Sequence, residues 1–559
     1  MTAPSLVTGP LLRYADAHAA TVWVETDRPA QVTVLGATTS TWSVHGRHFA
    51  LVEINGLEAG TTIPYEVHLD GHHVWPLDDS AYPPSVIRTL SPTRPFQLAF
   101  GSCRRAAPLD SAATRAFGAD ALVALTNRIA GQPVDTWPDA LLLAGDQIYA
   151  DKPSANLGTD NASTFDDYAH LYAEAWLPGP IRWLLSTVPT CMILDDHDLR
   201  DDWNTSLAWR DVVTQSPDWT GLVQGAFGSY FVYQHLGNLS PHQLAQNATY
   251  RALRDAPDDA ERAQILDDFA WQSDATPDSA RWSFYRDFGV DGARIRLLVV
   301  DARCSRQLTP SDRRIVDATE ADWLKGVLND AATQHLLVAS TLPVFLFHGI
   351  HDLEGWNEAV TAGAWGTRWM ARGEKIRQAV DLEHWAAFRA SFTELTEVLR
   401  AVIGRAHPPR SVLFLSGDVH CSYTARVTLT DLPHAPTVVH QLTMSPFRNP
   451  LEVHIRIANL LLETRGVRWL TRRLARAAGV SADSVDWTVE NGPWFDNGVM
   501  TITIEGDHVR VVVDHAFAES GTHQLVETTT IDLTGPPTGR RPAVARRQRR
   551  RHRRLRRKV

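Results

Sequence analysis

Leu141-Leu142-Leu143-Ala144-Gly145-Asp146-Gln147-Ile148-Tyr149-Ala150-Asp151 decides how this chain is read. The apolar run is short and ends at a glycine, which predicts a buried strand rather than a helix. Gly145 allows a tight turn, and Asp146 then presents a carboxylate at the strand's carboxyl end. Three other apolar runs finish in the same manner. Residues 96–100 lead into Gly101-Ser102-Cys103, and residues 191–194 into Asp195-Asp196-His197-Asp198, with Asp201-Asp202-Trp203 just after. Residues 412–415 lead into Gly417-Asp418-Val419-His420. In a layered α/β sheet, ligands bind at the crevice where strand carboxyl ends meet.

A thiol, a phenol, several carboxylates and an imidazole gathered at one point repel one another unless cations lie among them. A dinuclear metal site is the economical reading. Asp146 has an oxygen to place between two cations, and Tyr149, three residues on, adds a phenolate. Phenolate and thiolate suit a highly charged iron ion better than Mg²⁺ or Ca²⁺. Asp418 and His420 stand two apart, so both can reach one metal pair. Each motif has a plainer reading alone: a Gly-Asp turn, a capping aspartate, a helix N-terminus beside the third cluster, a small buried cysteine. Their concurrence at four strand ends favours the metal.

With 559 residues, the chain has material for two or three domains. Its net charge is −10, but residues 540–559 hold twelve Arg or Lys and no acid. The remainder carries 42 basic against 64 acidic residues, a net of −22, which argues against a broad nucleic-acid surface on the folded part. The four cysteines lack paired spacing and fit a reducing compartment. No signal-like N-terminus or ~18-residue apolar run is present, so a cytoplasmic location is expected. The nineteen tryptophans read chiefly as packing, with a pocket wall as the alternative.

Residues 1–92 alternate with period two between turn residues and predict a small all-β sandwich domain. Residues 21–26, 31–35 and 64–69 are its clearest strands. From residue 93 to 535 strands alternate with helices, an α/β pattern. Helical periodicity covers residues 111–130, 166–187, 319–334 and 382–403, and residues 204–282 read as a helical insertion. Residues 499–504 and 508–513 predict a hairpin. Residues 536–559 form a basic tail expected to be disordered and to contact polyanions.

These motifs, in this order, resemble the alkaline phosphatase D (PhoD-like) metallophosphatases, relatives of the calcineurin-like and purple acid phosphatases. The carriers are Ser102-Cys103, Gly145-Asp146-Gln147-Ile148-Tyr149, Asp195-Asp196-His197-Asp198 and Gly417-Asp418-Val419-His420, with Val300-Asp301-Ala302-Arg303 between. The resemblance implies a metallophosphoesterase-type β-sandwich core flanked by helices. It implies Fe³⁺ held by Cys103, Asp146, Tyr149 and His420, and Ca²⁺ held by Asp146, Asp202 and Asp418, with Mn²⁺ or Zn²⁺ as other second metals. Asp202 stands where the best-known members carry Asn. His197 falls where the wider group keeps a His near the leaving group, and Arg104 and Arg105 are candidate phosphate clamps. His348 and His351 stay outside the ligand set. The expected activity is hydrolysis of small phosphate mono- or diesters. The contrasting reading is a decayed phosphatase fold acting as a scaffold through its basic tail. Intact Cys103, Asp146, Asp418 and His420 argue against decay.

Overall fold

The computed structural model of the chain describes residues 3–276, 278–289, 294–330, 332–451, 456 and 464–534. All four apolar runs are strands. Phe96–Gly101, Ala140–Ala144 and Thr190–Ile193 are parallel neighbours in a six-stranded sheet. Gly498–Glu505, His508–Glu519 and Thr522–Asp532 extend it antiparallel beyond Phe96–Gly101. Ser411–Ser416 belongs to a second sheet of seven strands. There it lies between Thr333–Ser340 and Val438–Thr443, parallel to both. The antiparallel edges of this sheet are Phe284–Phe288 on one side and Ser422–Leu429 with Val485–Trp494 on the other.

Strand periodicity explains how the two sheets pack. Leu297, Val299, Leu337, Ala339, Leu413 and Leu415 share one core with Leu98, Phe100 and Leu142 of the first sheet. Their alternate neighbours Leu298, Val300, Leu336, Val338, Val412 and Phe414 face a second core with Leu324 and Leu399 of the helices Ala318–Leu328 and Arg389–Ile403. Runs apolar at every position are what a sheet covered on both faces requires.

The N-terminal region is all-β. Leu6–Ala15, Ala19–Thr26, Arg47–Asn55 and Trp42–Val44 make one sheet, and Ala37–Ser40, Gln31–Val34, Val67–Leu69 and His72–Trp75 the other. Its inner faces share a core of Leu12, Val22, Val24, Val32 and Leu69, while Leu11, Trp23 and Leu51 turn outward into the main core. Arg13 ties this region down, donating to the carbonyls of Thr190, Tyr233 and Gln234.

Several elements differ from the sequence expectation. Residues 64–69 divide between two sheets: Thr62–Pro64 pairs with Val86–Arg88, whereas Val67–Leu69 pairs with Gln31–Val34. Between them Tyr65 is buried and donates to the Ser186 carbonyl at 2.6 Å. Residues 111–130 form two helices, Ser111–Phe117 and Ala121–Ala130, because Asp120 caps the second. Residues 166–187 break into Phe165–Trp176 and Gly179–Thr187 around Pro178. The helix over 319–334 stops at Leu328 so that Thr333 can begin a strand. The stretch 204–282 holds Leu207–Val213, Trp219–Ser229, Pro241–Gln246, Ala248–Asp255 and Asp259–Ala275. Its tryptophans pack: Trp203 is fully buried and stacks on Trp219 at 5.1 Å. The basic tail lies outside the described residues. No helix among the described residues is long and apolar enough to cross a membrane.

Candidate metal centre

Parallel pairing sets the carboxyl ends of Phe96–Gly101, Ala140–Ala144 and Thr190–Ile193 side by side, so Cys103, Asp146 and Asp195 fall in one crevice. Backbone bonds lock the loops together: the Cys103 amide donates to the Gly145 carbonyl and the Arg104 amide to that of Asp146, both at 3.2 Å. The second sheet reaches the crevice through Gly417, whose missing side chain matters. A Cβ there would lie 2.0 Å from the Ser102 hydroxyl, which instead accepts from the Asp418 amide at 3.1 Å. Gly145 is fixed twice over, by φ +98° and by Asp195 Cβ at 2.7 Å from any Cβ it might carry.

Cys103, Asp146, Asp418 and His420 all take left-handed backbone conformations, with φ of 56°, 52°, 57° and 46°, and Asp202 does so at 65°. For residues other than glycine each costs roughly 1–3 kcal/mol and marks a position held by its surroundings. Three strand ends, those leading to Cys103, to Asp146 and to Asp418 with His420, carry such turns into the crevice.

Ligand atoms of Cys103, Asp146 and His420 lie within 4.8 Å of one another. The Tyr149 hydroxyl joins them, 3.4 Å from Asp146 Oδ2, and accepts from Asn449 Nδ2 at 2.8 Å. Asp146 also belongs to a second group with Asp195 and Asp196, again within 4.8 Å. Asp146 Oδ1 and Asp195 Oδ2 are buried without a hydrogen bond, and Asp196 Oδ1 has only the Arg303 guanidinium, 3.2 Å away. Burial and the neighbouring Asp196 and Asp195 push the Asp146 carboxyl far above its usual range, against the pull of His197. Burial and the Asp146 carboxylate do the same to the Cys103 thiol and the Tyr149 phenol. Burial beside His197 lowers His420 to about 4, leaving a neutral imidazole with a lone pair. Bound cations would offset the penalties on Asp146, Cys103 and Tyr149, because they favour the deprotonated ligands, and His420 is already in the form that binds them. The donor set fits a metal pair.

The other carboxylates of the third motif are already occupied. Asp198 accepts from the amides of Asp146, Gln147, Ile148 and Asp195 at 2.9–3.3 Å, fixing the loop that carries Asp146. Arg303, fully buried, holds Asp195 and Glu383 and lies 3.2 Å from Asp196 and 3.6 Å from Asp418. His197 is gripped through Nδ1 by both oxygens of Asp151 at 3.0 Å, and its ring lies tilted against that of Tyr149 with centroids 4.6 Å apart. Burial opposes protonation of that ring, yet Asp146 and Asp151 outweigh it and raise its pKa.

Three expectations need restating. Arg104 points away from the crevice: it donates to Asp120 at 3.0 Å and to the Ala175 carbonyl at 2.8 Å, and is buried there. Successive residues leaving a strand face opposite ways, and Cys103 takes the crevice side. Arg105 remains nearer, with its guanidinium 5.3 Å over the Tyr149 ring. Asp202 is absent from both groups containing Asp146; Asp196 stands in its place, with its Oδ2 receiving the Asp202 amide at 3.1 Å. Burial and Glu383 raise Asp202 to about 8. Asp418 turns its carboxylate to Arg303 and to His384 Nε2 at 3.8 Å, and His384 is held in turn by Glu354 at 2.6 Å. Sequence reading missed Glu354, Glu383, His384 and Asn449. Arg303 alone carried a signal, in Asp301-Ala302-Arg303. His348 and His351 line a different cavity.

Comparison with known proteins bears on the fold and the family. A solved structure titled "Structure of PhoD" superposes with a TM-score of 0.59 over 96% of this chain and 92% of that chain, at 12% identity, which speaks to the fold. No curated protein sequence matches. Residues 3–87 match a domain of unknown function, DUF7800. Residues 124–451, more than half of the chain and every candidate ligand except Cys103, match the PhoD-like phosphatase model. The chain therefore belongs to the PhoD-like phosphatase family and is a phosphatase.

Proposed function

We propose that the chain hydrolyses small phosphate esters at a dinuclear metal centre that Asp146 would help to hold. The observation carrying this reading is that Asp146 belongs to both ligand groups while its buried Oδ1 meets no donor. Cys103, Asp146, Tyr149 and His420 form the set suited to Fe³⁺. Asp146, Asp196 and Asp418 offer oxygen ligands suited to Ca²⁺, with Mn²⁺ or Zn²⁺ as competitors. Asp196 takes the role first given to Asp202. When bound, the cations supply positive charge for the phosphoryl oxygens and make water a nucleophile at neutral pH.

The chain's own residues do the rest. Asp198 fixes the turn of Asp146, and Arg303 keeps Asp195 and Asp196 apart while offsetting their charge. Asp151 orients His197, which stands ready to give a proton to the leaving alkoxide. Arg105 stands at the same side of the crevice as Tyr149 and is the better candidate for contacting substrate phosphate. The arrangement is that of a metallophosphoesterase-type layered core, and we divide the chain into an N-terminal sandwich over 1–92, a catalytic unit over 93–535 with its insertion at 204–282, and the tail.

Metal analysis of purified protein, with turnover on p-nitrophenyl phosphate and its bis ester, tests the proposal. Iron and a tyrosinate-to-iron absorption band are expected, and Tyr149→Phe should bleach the band. A colourless, iron-free, fully active enzyme would overturn the Fe³⁺ assignment.

A further inference from the structure

Away from the metal centre, the helix Arg465–Ala477 carries five arginines and no acid in a chain whose body is otherwise acidic. Its inner face is ordinary packing: Thr471 and Ala475 are buried, and Ala475 sits with Trp356 and Val360 of the helix His348–Thr361. Its outer face is not. Trp469 is 59% exposed and Leu470 51% exposed, and Trp469 is the one exposed aromatic residue among the described residues. Arg473 lies over its ring at 4.8 Å.

Arg468, Arg472 and Arg476 recur every turn along one stripe and line a cavity of about 430 Å³ that shares no residue with the metal centre. Among the described residues none of the three forms a close ion pair, although Asp352, Asp483 and Asp486 line the same cavity and Arg472 acts on Asp352 through space. Arg389 across the cavity does have one, since Asp483 and the Ser481 carbonyl hold it. The helix thus offers unpaired guanidinium groups beside an outward tryptophan and leucine.

We propose that this helix docks the protein on an anionic phospholipid surface, with Trp469 and Leu470 entering the headgroup boundary and Arg468, Arg472 and Arg476 meeting lipid phosphates. An amphipathic helix with arginines beside tryptophan and leucine binds in the plane of such an interface. A nucleic acid would use the arginines but gives Leu470 no role, and a neutral bilayer would leave the arginines unmatched. A net of −22 over the rest of the chain repels anionic surfaces everywhere else, which restricts approach to this face. Stable anchoring takes two signals, and the twelve basic residues at 540–559 are a second one in the same chain.

The test is co-sedimentation of the full chain with phosphatidylcholine vesicles that either contain or lack phosphatidylglycerol. Retention is expected only with phosphatidylglycerol, and it should fall as salt rises. Arg472→Gln with Arg476→Gln should weaken it about 25-fold, roughly fivefold per guanidinium. Trp469→Ser with Leu470→Ser should weaken it about tenfold while leaving retention on duplex DNA unchanged. All four side chains are exposed, so melting and small-ester turnover should stay as in the parent. If the serine pair alters melting, the arginine pair carries the readout. Retention that vanishes on truncation at Pro537 yet survives both helix variants would overturn the proposal. So would serine variants that bind vesicles as the parent does.

Discussion

The guanidinium of Arg13 and the carboxylate of Asp146 are both buried, at 0% and 1% exposure, yet only the first is fully matched. Arg13 donates to three carbonyls and to the Asn238 side chain, all supplied by the fold itself. Asp146 has one oxygen without a donor and two more carboxylates for neighbours. A buried charge satisfied by the chain is architecture, whereas a buried charge left short is a request for something from outside. The third motif contains both kinds within four residues, since Asp198 takes four backbone amides while Asp195 retains an unmatched oxygen.

Replacing the unmatched group should have the largest effect on activity and the least on fold. Asp146→Ala is expected to remove metal and turnover by far more than the 10- to 100-fold typical of a residue that only supports a ligand. Metal-free protein should melt no lower than the parent, because one repelling carboxylate is gone. Retained turnover with unchanged metal content would dissolve the distinction drawn between the two sites.

Arg13→Ala should behave oppositely. It takes the side-chain donor from three buried carbonyls, while Asn238 Oδ1 keeps the Met192 amide, and should cost about 3 kcal/mol in denaturant unfolding. The KM for a small ester should hardly move, since Arg13 touches only the Thr190 strand and the segment beyond it.

His440 sharpens the comparison from a third direction. Both of its ring nitrogens are buried without partners among the described residues, and burial beside Arg426 lowers its pKa to about 3. The unfolded ring takes up a proton near 6.5, so the unfolded state binds more protons between pH 6.5 and about 3. Stability therefore falls as pH drops through that interval, by about 2 kcal/mol at pH 5. His440→Leu should flatten that limb of the melting profile, and an unchanged profile would show that the ring is protonated when folded.

The smallest effect is expected at Arg104. Lysine cannot reproduce its two-sided grip on Asp120 and the Ala175 carbonyl, so Arg104→Lys should lower stability by about 1 kcal/mol. Turnover should stay level. A severalfold rise in KM without loss of stability would return Arg104 to the phosphate.

What could be read from sequence follows the physics of local pattern. The strands ahead of Cys103, Asp146, Asp195 and Asp418 are apolar at most positions on both faces because both faces are covered, and such runs are visible without a structure. Thr522–Asp532 escaped notice because it is mostly exposed and polar. Helix periodicity ran on past Gly118 and Pro178, where capping and proline geometry divide the helices. The ligand types were legible because cysteine, tyrosine and clustered aspartates are rare at strand ends. Which aspartate of the third motif meets Asp146 was not, because the tight turn Asp196–Asp198 and the left-handed Asp202 decide it. Glu354, Glu383, His384 and Asn449 arrive through tertiary contacts alone.

The contact between Gly417 and Ser102 joins loops from two sheets whose strands are far apart in the chain. During synthesis the ribosome must release residue 420 before the last candidate ligand exists, and both sheets must form before it meets Cys103. No early fragment can assemble the proposed centre. Its ions would therefore be acquired late, by a nearly finished molecule, and a cell short of metal would accumulate folded enzyme awaiting its cargo rather than half-made chains.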